Sequence, residues 1–230
     1  MFSLDRGFLH TLVDMFRAPG YVPRAYVEGR RRWYTNPLSY WLIAATLQLL
    51  ALLSIGDGYT LFIEQSLRYS VEQQGQWGQD GMAVYADLFD VEDPVPVLAQ
   101  IFNRAVRAAY TYLGVFFAFA LALCLRFLLR TPGNERNLAE QLVFALYVIG
   151  HWAIVTAVIL PVTFRISPAL HGTIGTAGYL VIAAWASLEF HEQGLKGGLL
   201  STLAMLLAFL AYMVVMIFVL MGFVLWEALG

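Results

Sequence analysis

The residues best suited to chemistry in this sequence lie on one face of a long uncharged segment. Glu140, Phe144, Tyr147 and His151 are spaced by four, three and four positions, which places them on one side of a helix. An imidazole beside a phenol can relay protons or contact a substrate, because imidazole titrates near neutral pH. A neutral histidine that donates to a neighbouring helix would show the same pattern. The spacing allows a Tyr147–His151 hydrogen bond, and of the two interpretations we favour the structural one.

Two other polar residues lie within uncharged segments and extend this candidate intramembrane polar site. Gln48 and Thr156 are predicted to form hydrogen bonds between helices. A later segment carries Gly172, Gly175 and Gly178 at intervals of three. These glycines predict a flat helix face that another helix can approach closely.

Signatures of catalysis and of metal binding are absent from the sequence. It contains no nucleotide-binding glycine loop, no His-Glu-x-x-His pair and no Gly-x-Ser-x-Gly elbow, and its four histidines are scattered. The acidic residues at 87–93 lack the ligand spacing and central glycine of a calcium loop. We therefore predict no catalytic residue, metal site or cofactor, and the sequence argues against an enzyme.

The composition indicates which solvent surrounds these residues. Of 230 residues, 60% are hydrophobic and 13% are charged, compared with about 25% charged in ordinary globular domains. This excludes a disordered chain and a basic nucleic-acid binder, and the single cysteine, Cys124, excludes a disulfide scaffold. Five segments free of Asp, Glu, Lys and Arg are each long enough for a helix across the hydrocarbon core. They are Trp33–Gly56, Ala108–Leu125, Gln141–Phe164, Ile166–Leu188 and Gly197–Trp226.

The predicted fold is an all-α integral membrane bundle with five transmembrane helices. Helix signals place the spans at residues 37–56, 108–130, 141–161, 168–188 and 197–226. Asn36-Pro37 and Ser167-Pro168 begin the first and fourth spans with a capping side chain followed by proline. Pro132-Gly133-Asn134 breaks the chain after the second span, and Pro161 ends or kinks the third.

The distribution of Arg and Lys predicts the orientation of the bundle. Ten of the fourteen lie in segments on the side of the N-terminus, which the positive-inside rule assigns to the cytoplasm. Five crossings then place the C-terminus outside. The absence of a cleavable signal makes the first span a retained anchor, and the absence of an organelle-targeting signal favours a bacterial cytoplasmic (inner) membrane. Arg30, Arg31 and Arg32 could contact anionic lipid head groups. Their effect on membrane orientation would by itself explain why three arginines occur here.

Two segments are predicted to lie outside the bilayer. Residues 1–36 contain a helix with apolar residues on one side, which suits either the membrane interface or packing against the ends of the spans. Residues 57–107 predict a small helical extracytoplasmic cap. In this cap a helix continues from the first span, Gln73–Gly81 form a loop, and a second helix begins after Asp93-Pro94.

The N-terminal motif resembles that of an uncharacterised family of bacterial multi-spanning membrane proteins. Pro19-Gly20, Tyr26–Arg31, Tyr34 and Asn36-Pro37 follow the family pattern Pro-Gly…Tyr-x-Asp/Glu-Gly-x-Arg-x-x-Tyr-x-x-Pro. Glu140–Phe144 resembles a second segment of that family. The chain departs from the family in beginning without a cysteine zinc ribbon and in having Gln141 and Tyr147 at positions where histidines are usual. The five-span layout is also loosely similar to Yip-type trafficking proteins.

Two non-enzymatic functions are favoured by the sequence, and a membrane enzyme that uses Glu140, Tyr147 or His151 is the third and least favoured reading. The leading prediction is a non-enzymatic membrane protein that binds lipid or a protein partner, or forms a homo-oligomer, and acts as a scaffold or assembly factor without nucleic acid. The alternative is a small transporter or lipid-handling protein with a midplane polar pocket around His151. That alternative predicts that His151, Tyr147 and Gln48 converge on one cavity.

Overall fold

The computed structural model describes residues 4–108, 114–129, 136–192 and 194–229, and within these ranges the chain forms α-helices without strands. The helices follow one another along the chain as α1 (Leu4–Arg17), α2 (Tyr21–Val27), α3 (Pro37–Ser54), α4 (Gly58–Gln74), α5 (Gln76–Phe89), α6 (Val95–Ala108), α7 (Gly114–Leu128), α8 (Leu138–Ile166), α9 (Pro168–His191) and α10 (Gly194–Leu229).

Four helices are long and apolar enough to cross a membrane, which indicates a membrane protein. They are α3, α8, the Thr173–His191 part of α9, and α10. Helix α7 is apolar but has 15 residues, fewer than the roughly 20 that a crossing requires. Residues 109–113, in the predicted second span, and Pro132-Gly133-Asn134 lie outside the described residues.

Helices α7, α8, α9 and α10 pack in a ring, and α3 lies against α8. Small residues occupy the contacts and allow the helix backbones to approach, as in other membrane bundles. Gly150 of α8 shows how close α3 comes, since a Cβ there would lie 3.1 Å from the Cα of Trp41. The fully buried alanines of the ring are Ala118, Ala122, Ala145, Ala183, Ala186, Ala204 and Ala208.

Both predicted helix starts are confirmed. The Asn36 side chain accepts a hydrogen bond from the backbone N–H of Leu38 at 3.0 Å, and Ser167 accepts one from Leu170 at 3.3 Å. Pro161, by contrast, does not end the third span, because α8 continues to Ile166. Spanning helices tolerate an internal proline where neighbouring groups satisfy the freed carbonyl.

Helices α4, α5 and α6 form a unit at one end of the bundle that we call the cap. The predicted pairing of two helices is present, because Asn103 of α6 donates to Thr60 of α4 at 2.7 Å. Arg68 of α4 also donates to Asp93, just before α6, at 2.6 Å. This charged hydrogen bond lowers the pKa of the Asp93 carboxyl below its usual value.

The prediction of a loop over Gln73–Gly81 is wrong. Only Gly75 breaks the helix, with φ +56°, and α5 begins at the next residue. Glycine adopts this φ without the steric cost that other residues carry. The residues after it form a helix that packs closely on α4, and Gly78 permits the contact, since a Cβ there would lie 2.6 Å from the Val71 carbonyl oxygen.

Candidate functional site

Residues 4–36 form a folded unit at the opposite end of the bundle from the cap, which we call the N-terminal unit. Helices α1 and α2 pack on α3 and α8 around a cluster that includes Met15, Val22, Tyr40 and Tyr147, all fully buried. The backbone N–H of Thr35 donates to the Thr11 hydroxyl at 2.9 Å, which fixes the chain leading into α3. The unit is therefore part of the folded bundle and not an independent tail.

His151 lies in this cluster and not in an open pocket. Its Nδ1 is hydrogen-bonded to the Tyr40 hydroxyl at 3.1 Å, and the Phe16 ring packs against its edge with centroids 4.4 Å apart. Where the sequence predicts a hydrogen bond from Tyr147 to His151, the Tyr147 hydroxyl instead donates to the carbonyl oxygen of Thr35. Both aromatic side chains thus hold the N-terminal unit against α8.

Tyr34 links the same unit to α1. It is largely buried, and its hydroxyl donates to the Asp14 carboxylate at 3.2 Å. Burial, followed by the negative charge of Asp14, raises the pKa of Tyr34 to about 12. A tyrosine in water titrates near pH 10.

The raised pKa predicts a loss of stability in alkali. Because the folded-state pKa exceeds the unfolded value, the contribution of Tyr34 is complete below about pH 10 and is lost as pH rises through about 12. The thermal unfolding midpoint of the protein should therefore fall more steeply above about pH 10 than that of Tyr34→Phe. A tyrosinate difference spectrum between the two proteins should show a transition near pH 12, and a transition near 10 would contradict this assignment.

Gly20 forms a close contact between the N-terminal unit and α9. Its N–H donates to one carboxylate oxygen of Glu189 at 2.8 Å, and Trp185 Nε1 donates to the other at 2.8 Å. A Cβ on Gly20 would lie 2.0 Å from the Ala186 carbonyl oxygen. Arg24, four residues on, forms ion pairs with Glu28 and Glu192. The Pro-Gly motif thus sits where the turn after α1 meets the end of α9.

The N-terminal unit also presents a partly exposed apolar surface on α1. Leu9, Val13 and Phe16 are 59%, 45% and 54% exposed, and they follow one another along one side of α1. Trp33 is 67% exposed on the same unit. The predicted lipid-contacting arginines are exposed as well, with Arg30 donating to the Tyr21 hydroxyl at 2.6 Å and Arg31 over the Tyr26 ring.

Gln48 and Thr156 are brought together, away from His151. Gln48 Nε2 donates to the Thr156 hydroxyl at 3.1 Å between α3 and α8. Both line a cavity of about 600 Å³, and neither His151 nor Tyr147 does. Of the four residues in the candidate polar site, two therefore face the cavity and two face the N-terminal unit.

The three glycines of α9 differ in their surroundings. A Cβ on Gly178 would lie 2.3 Å from the Trp152 ring, so an aromatic side chain of α8 packs on that position. A Cβ on Gly175 would meet no described atom within 4 Å, and this glycine faces the cavity. The side-chain surroundings of Gly172 lie outside the described residues.

A buried polar network at the end of α9 was not predicted from the sequence. Gln141 Oε1 accepts from His191 Nε2 at 3.0 Å, and His191 Nδ1 is 2.9 Å from the Ser187 hydroxyl. Ser187 is in turn hydrogen-bonded to Ser201, so that α8, α9 and α10 are joined. All four side chains are at most 2% exposed. The sequence does contain a signal, namely polar residues within helices that face inward. It does not show which of them meet, because Gln141 and His191, for example, are 50 residues apart.

Comparison with known proteins identifies only the N-terminal part of the chain. No curated protein and no solved structure matches the chain. The predicted likeness to an uncharacterised family is confirmed over the N-terminal unit and most of α3. Residues 5–49 match the family described as a protein of unknown function (DUF3667), which has no assigned activity.

Proposed function

We propose that this chain is a non-enzymatic membrane protein that binds lipid through its N-terminal unit and acts as a scaffold or assembly factor at the membrane surface. The single observation that carries the proposal is the exposed Leu9–Val13–Phe16 side of α1, on a unit fixed to the spanning helices. Exposed apolar residues on a helix beside a bilayer are solvated by the boundary between head groups and acyl chains.

The charges of the N-terminal unit support the same proposal. Arg30, Arg31 and Arg32 are exposed on the same unit and immediately precede the exposed Trp33. Each basic residue near an anionic lipid surface contributes on the order of 1 kcal/mol of attraction. An apolar helix face with a basic neighbour fits the cytoplasmic leaflet, which carries the anionic lipids.

The proposal includes the finer topology that the sequence predicts. It keeps the span predicted from the sequence at residues 108–130 as a fifth crossing, with the N-terminus in the cytoplasm of a bacterium and the C-terminus outside the inner membrane. The excess of Arg and Lys on the N-terminal side supports this orientation. A protein partner or a second copy of the chain would then join the complex from the cytoplasmic surface or within the bilayer.

The transporter alternative needs a different pocket from the one proposed around His151. That imidazole is 1% exposed and packed between Tyr40 and Phe16. A substrate path along α8 would have to pass Gln48 and Thr156, which line the cavity. The surface-binding proposal depends on none of these residues.

The experiment measures where α1 lies relative to the bilayer. In a Cys124→Ser background, spin labels are placed at Val13→Cys and, as the matched control, at His10→Cys on the polar side of the same helix. In nanodiscs containing anionic lipid, we expect the Val13 label to be accessible to oxygen and shielded from an aqueous nickel complex, and the His10 label to show the reverse. If both labels are accessible to the aqueous reagent, or if the Val13 label is shielded from both reagents by protein, lipid binding by this surface is wrong.

A further inference from the structure

Helix α5 of the cap has two apolar sides, and its packing on α4 uses one of them. On the packed side, Gly78 is buried against Val71, and Met82 and Phe89 are half-buried. The other side carries Trp77, Val84 and Leu88. These three residues lie within about 40° of one another around the helix axis, because seven and eleven residues are close to two and three full turns. We call these three side chains the α5 face.

The α5 face is exposed in the folded chain. Trp77 is 87% exposed, Val84 is 65% exposed and Leu88 is 39% exposed. In the topology proposed above, the cap lies outside the bilayer, so this face meets water. A row of exposed apolar side chains in water marks an interaction site, because its burial by a partner is favourable. Tryptophan is among the residue types enriched where the binding energy of an interface is concentrated.

Negative charge borders the α5 face. Helix α5 contains Asp80 and Asp87 and no Lys or Arg. Both carboxylates are exposed on one flank of the face, within about 80° of Trp77 around the axis, and neither forms an ion pair among the described residues. The cap as a whole, residues 58–108, has seven acidic and three basic residues. Two of the three arginines, Arg68 and Arg104, are already paired with carboxylates.

Asp87 lies where α5 itself disfavours a carboxylate. It is in the last turn of the helix, which ends at Phe89, and the C-terminal end of a helix carries a partial negative charge. A cationic side chain bound beside Asp87 would offset this repulsion, whereas an anion would increase it. The charges therefore favour a basic occupant.

The same charges distinguish between the surfaces that could cover the α5 face. An anionic lipid surface would be repelled by Asp80 and Asp87. A second α5 face would bring like charges together, which also costs free energy, and the basic N-terminal unit of a second copy lies at the other end of the bundle. We propose that the α5 face docks a partner protein through an amphipathic helix that carries Lys or Arg beside its apolar residues. The proposal depends on the cap facing water and not on the lipid contacts of α1.

The probe is a fluorescent peptide of about 18 Leu and Lys residues, long enough to form a helix, with Leu along one side. It is titrated into the full-length protein in nanodiscs of zwitterionic lipid, and its anisotropy is compared with that in empty nanodiscs. A peptide with Glu in place of every Lys is the charge control. A single helix face buries less area than a standard interface, so we expect saturable binding of the Lys peptide in the micromolar range. The Glu peptide should bind at least about tenfold more weakly.

Matched variants assign this binding to the α5 face. Trp77→Ala should weaken binding at least about tenfold. Trp226→Ala, which truncates another exposed tryptophan at the end of α10, should leave it unchanged. Asp80→Asn/Asp87→Asn should weaken binding about threefold and reduce its dependence on salt. Asp57→Asn/Glu92→Gln, which removes two exposed charges outside α5, is the control for net charge and should have neither effect.

Three binding results would overturn the proposal: equal affinity of the wild type and Trp77→Ala, equal affinity for the two peptides, or no more binding than to empty nanodiscs. A spin label at Val84→Cys, in the Cys124→Ser background, tests whether lipid covers the face instead. Access to oxygen together with shielding from the aqueous nickel complex would then also overturn it. None of these results changes the spin-label result expected for α1, so failure of the α5 face can be distinguished from failure of the surface proposal.

Discussion

Gly20→Ala is expected to release the N-terminal unit from α9. The new Cβ would lie 2.0 Å from the Ala186 carbonyl oxygen and 2.5 Å from the Glu189 Cβ, so a backbone segment must move. The dihedral angles of Gly20, φ −88° and ψ −21°, suit any residue, and the cost therefore arises from the contact alone. Overpacking of this kind costs about 1–3 kcal/mol, and a loss near 3 kcal/mol would raise the population of the detached unit about a hundredfold.

The measurement is the rate of tryptic cleavage after Arg24 and Arg30 in the purified protein. Cleavage of a locally opened segment follows the population of the open form when closing is fast. Gly7→Ala is the control, because it makes the same change in the same unit, and among the described residues the new Cβ meets the Thr35 hydroxyl at 3.7 Å and nothing nearer. Its cleavage rate should equal or fall below that of the wild type, since alanine favours a helix over glycine by about 1 kcal/mol. Equal rates for Gly20→Ala and the wild type would contradict the role of this contact.

His191→Leu is expected to lower the stability of the whole bundle by about 3 kcal/mol. The change leaves the buried Gln141 Oε1 without its His191 partner, whereas the Ser187 hydroxyl loses its bond to His191 and keeps its bond to Ser201. An unsatisfied buried group costs about 1–3 kcal/mol, and a lost hydrogen bond about 1 kcal/mol more. For a chain of this size the thermal unfolding midpoint in mild detergent should fall by roughly 6–12 °C.

A double substitution separates this explanation from a simple packing defect. In Gln141→Leu/His191→Leu the unpaired amide is removed as well, so we expect part of the lost stability to return. His10→Leu, on the exposed side of α1, should change the midpoint by no more than about 2 °C. If the double variant is less stable than the sum of the two single changes predicts, the hydrogen-bonded network does not explain the effect.

The helix boundaries that sequence alone predicted best are those fixed by local chemistry. Asn36 and Ser167 cap α3 and α9 because a short polar side chain before proline satisfies a free N–H within the same turn. The start of α6 directly after Asp93-Pro94 was likewise predictable from neighbouring residues. The error over Gln73–Gly81 shows the limit, since its glycines suggest a loop in the sequence, whereas in the structure Gly78 belongs to a helix that packs on Val71.

The candidate site required information that spacing does not contain. The spacing of Tyr147 and His151 predicts one shared side of α8, and the structure adds that both contact the N-terminal unit. Their hydrogen bonds, however, reach Thr35 and Tyr40, more than 100 residues away in sequence. The Gln141–His191–Ser187 network likewise depends on which faces of α8, α9 and α10 meet. Apolar helices have near-uniform hydrophobicity around their circumference, so the sequence pattern does not reveal those faces.

The central claim is that the N-terminal unit and the cap lie on opposite sides of a membrane that the helices cross. In a Cys124→Ser background, single cysteines at Arg32→Cys and Gln79→Cys are both at exposed positions, one in each unit. Intact bacterial cells expressing each variant are treated with a membrane-impermeant maleimide, before and after permeabilisation. The account predicts that the Gln79 cysteine is labelled in intact cells and the Arg32 cysteine only after permeabilisation. Labelling of both cysteines in intact cells, of neither, or of the Arg32 cysteine alone would contradict it.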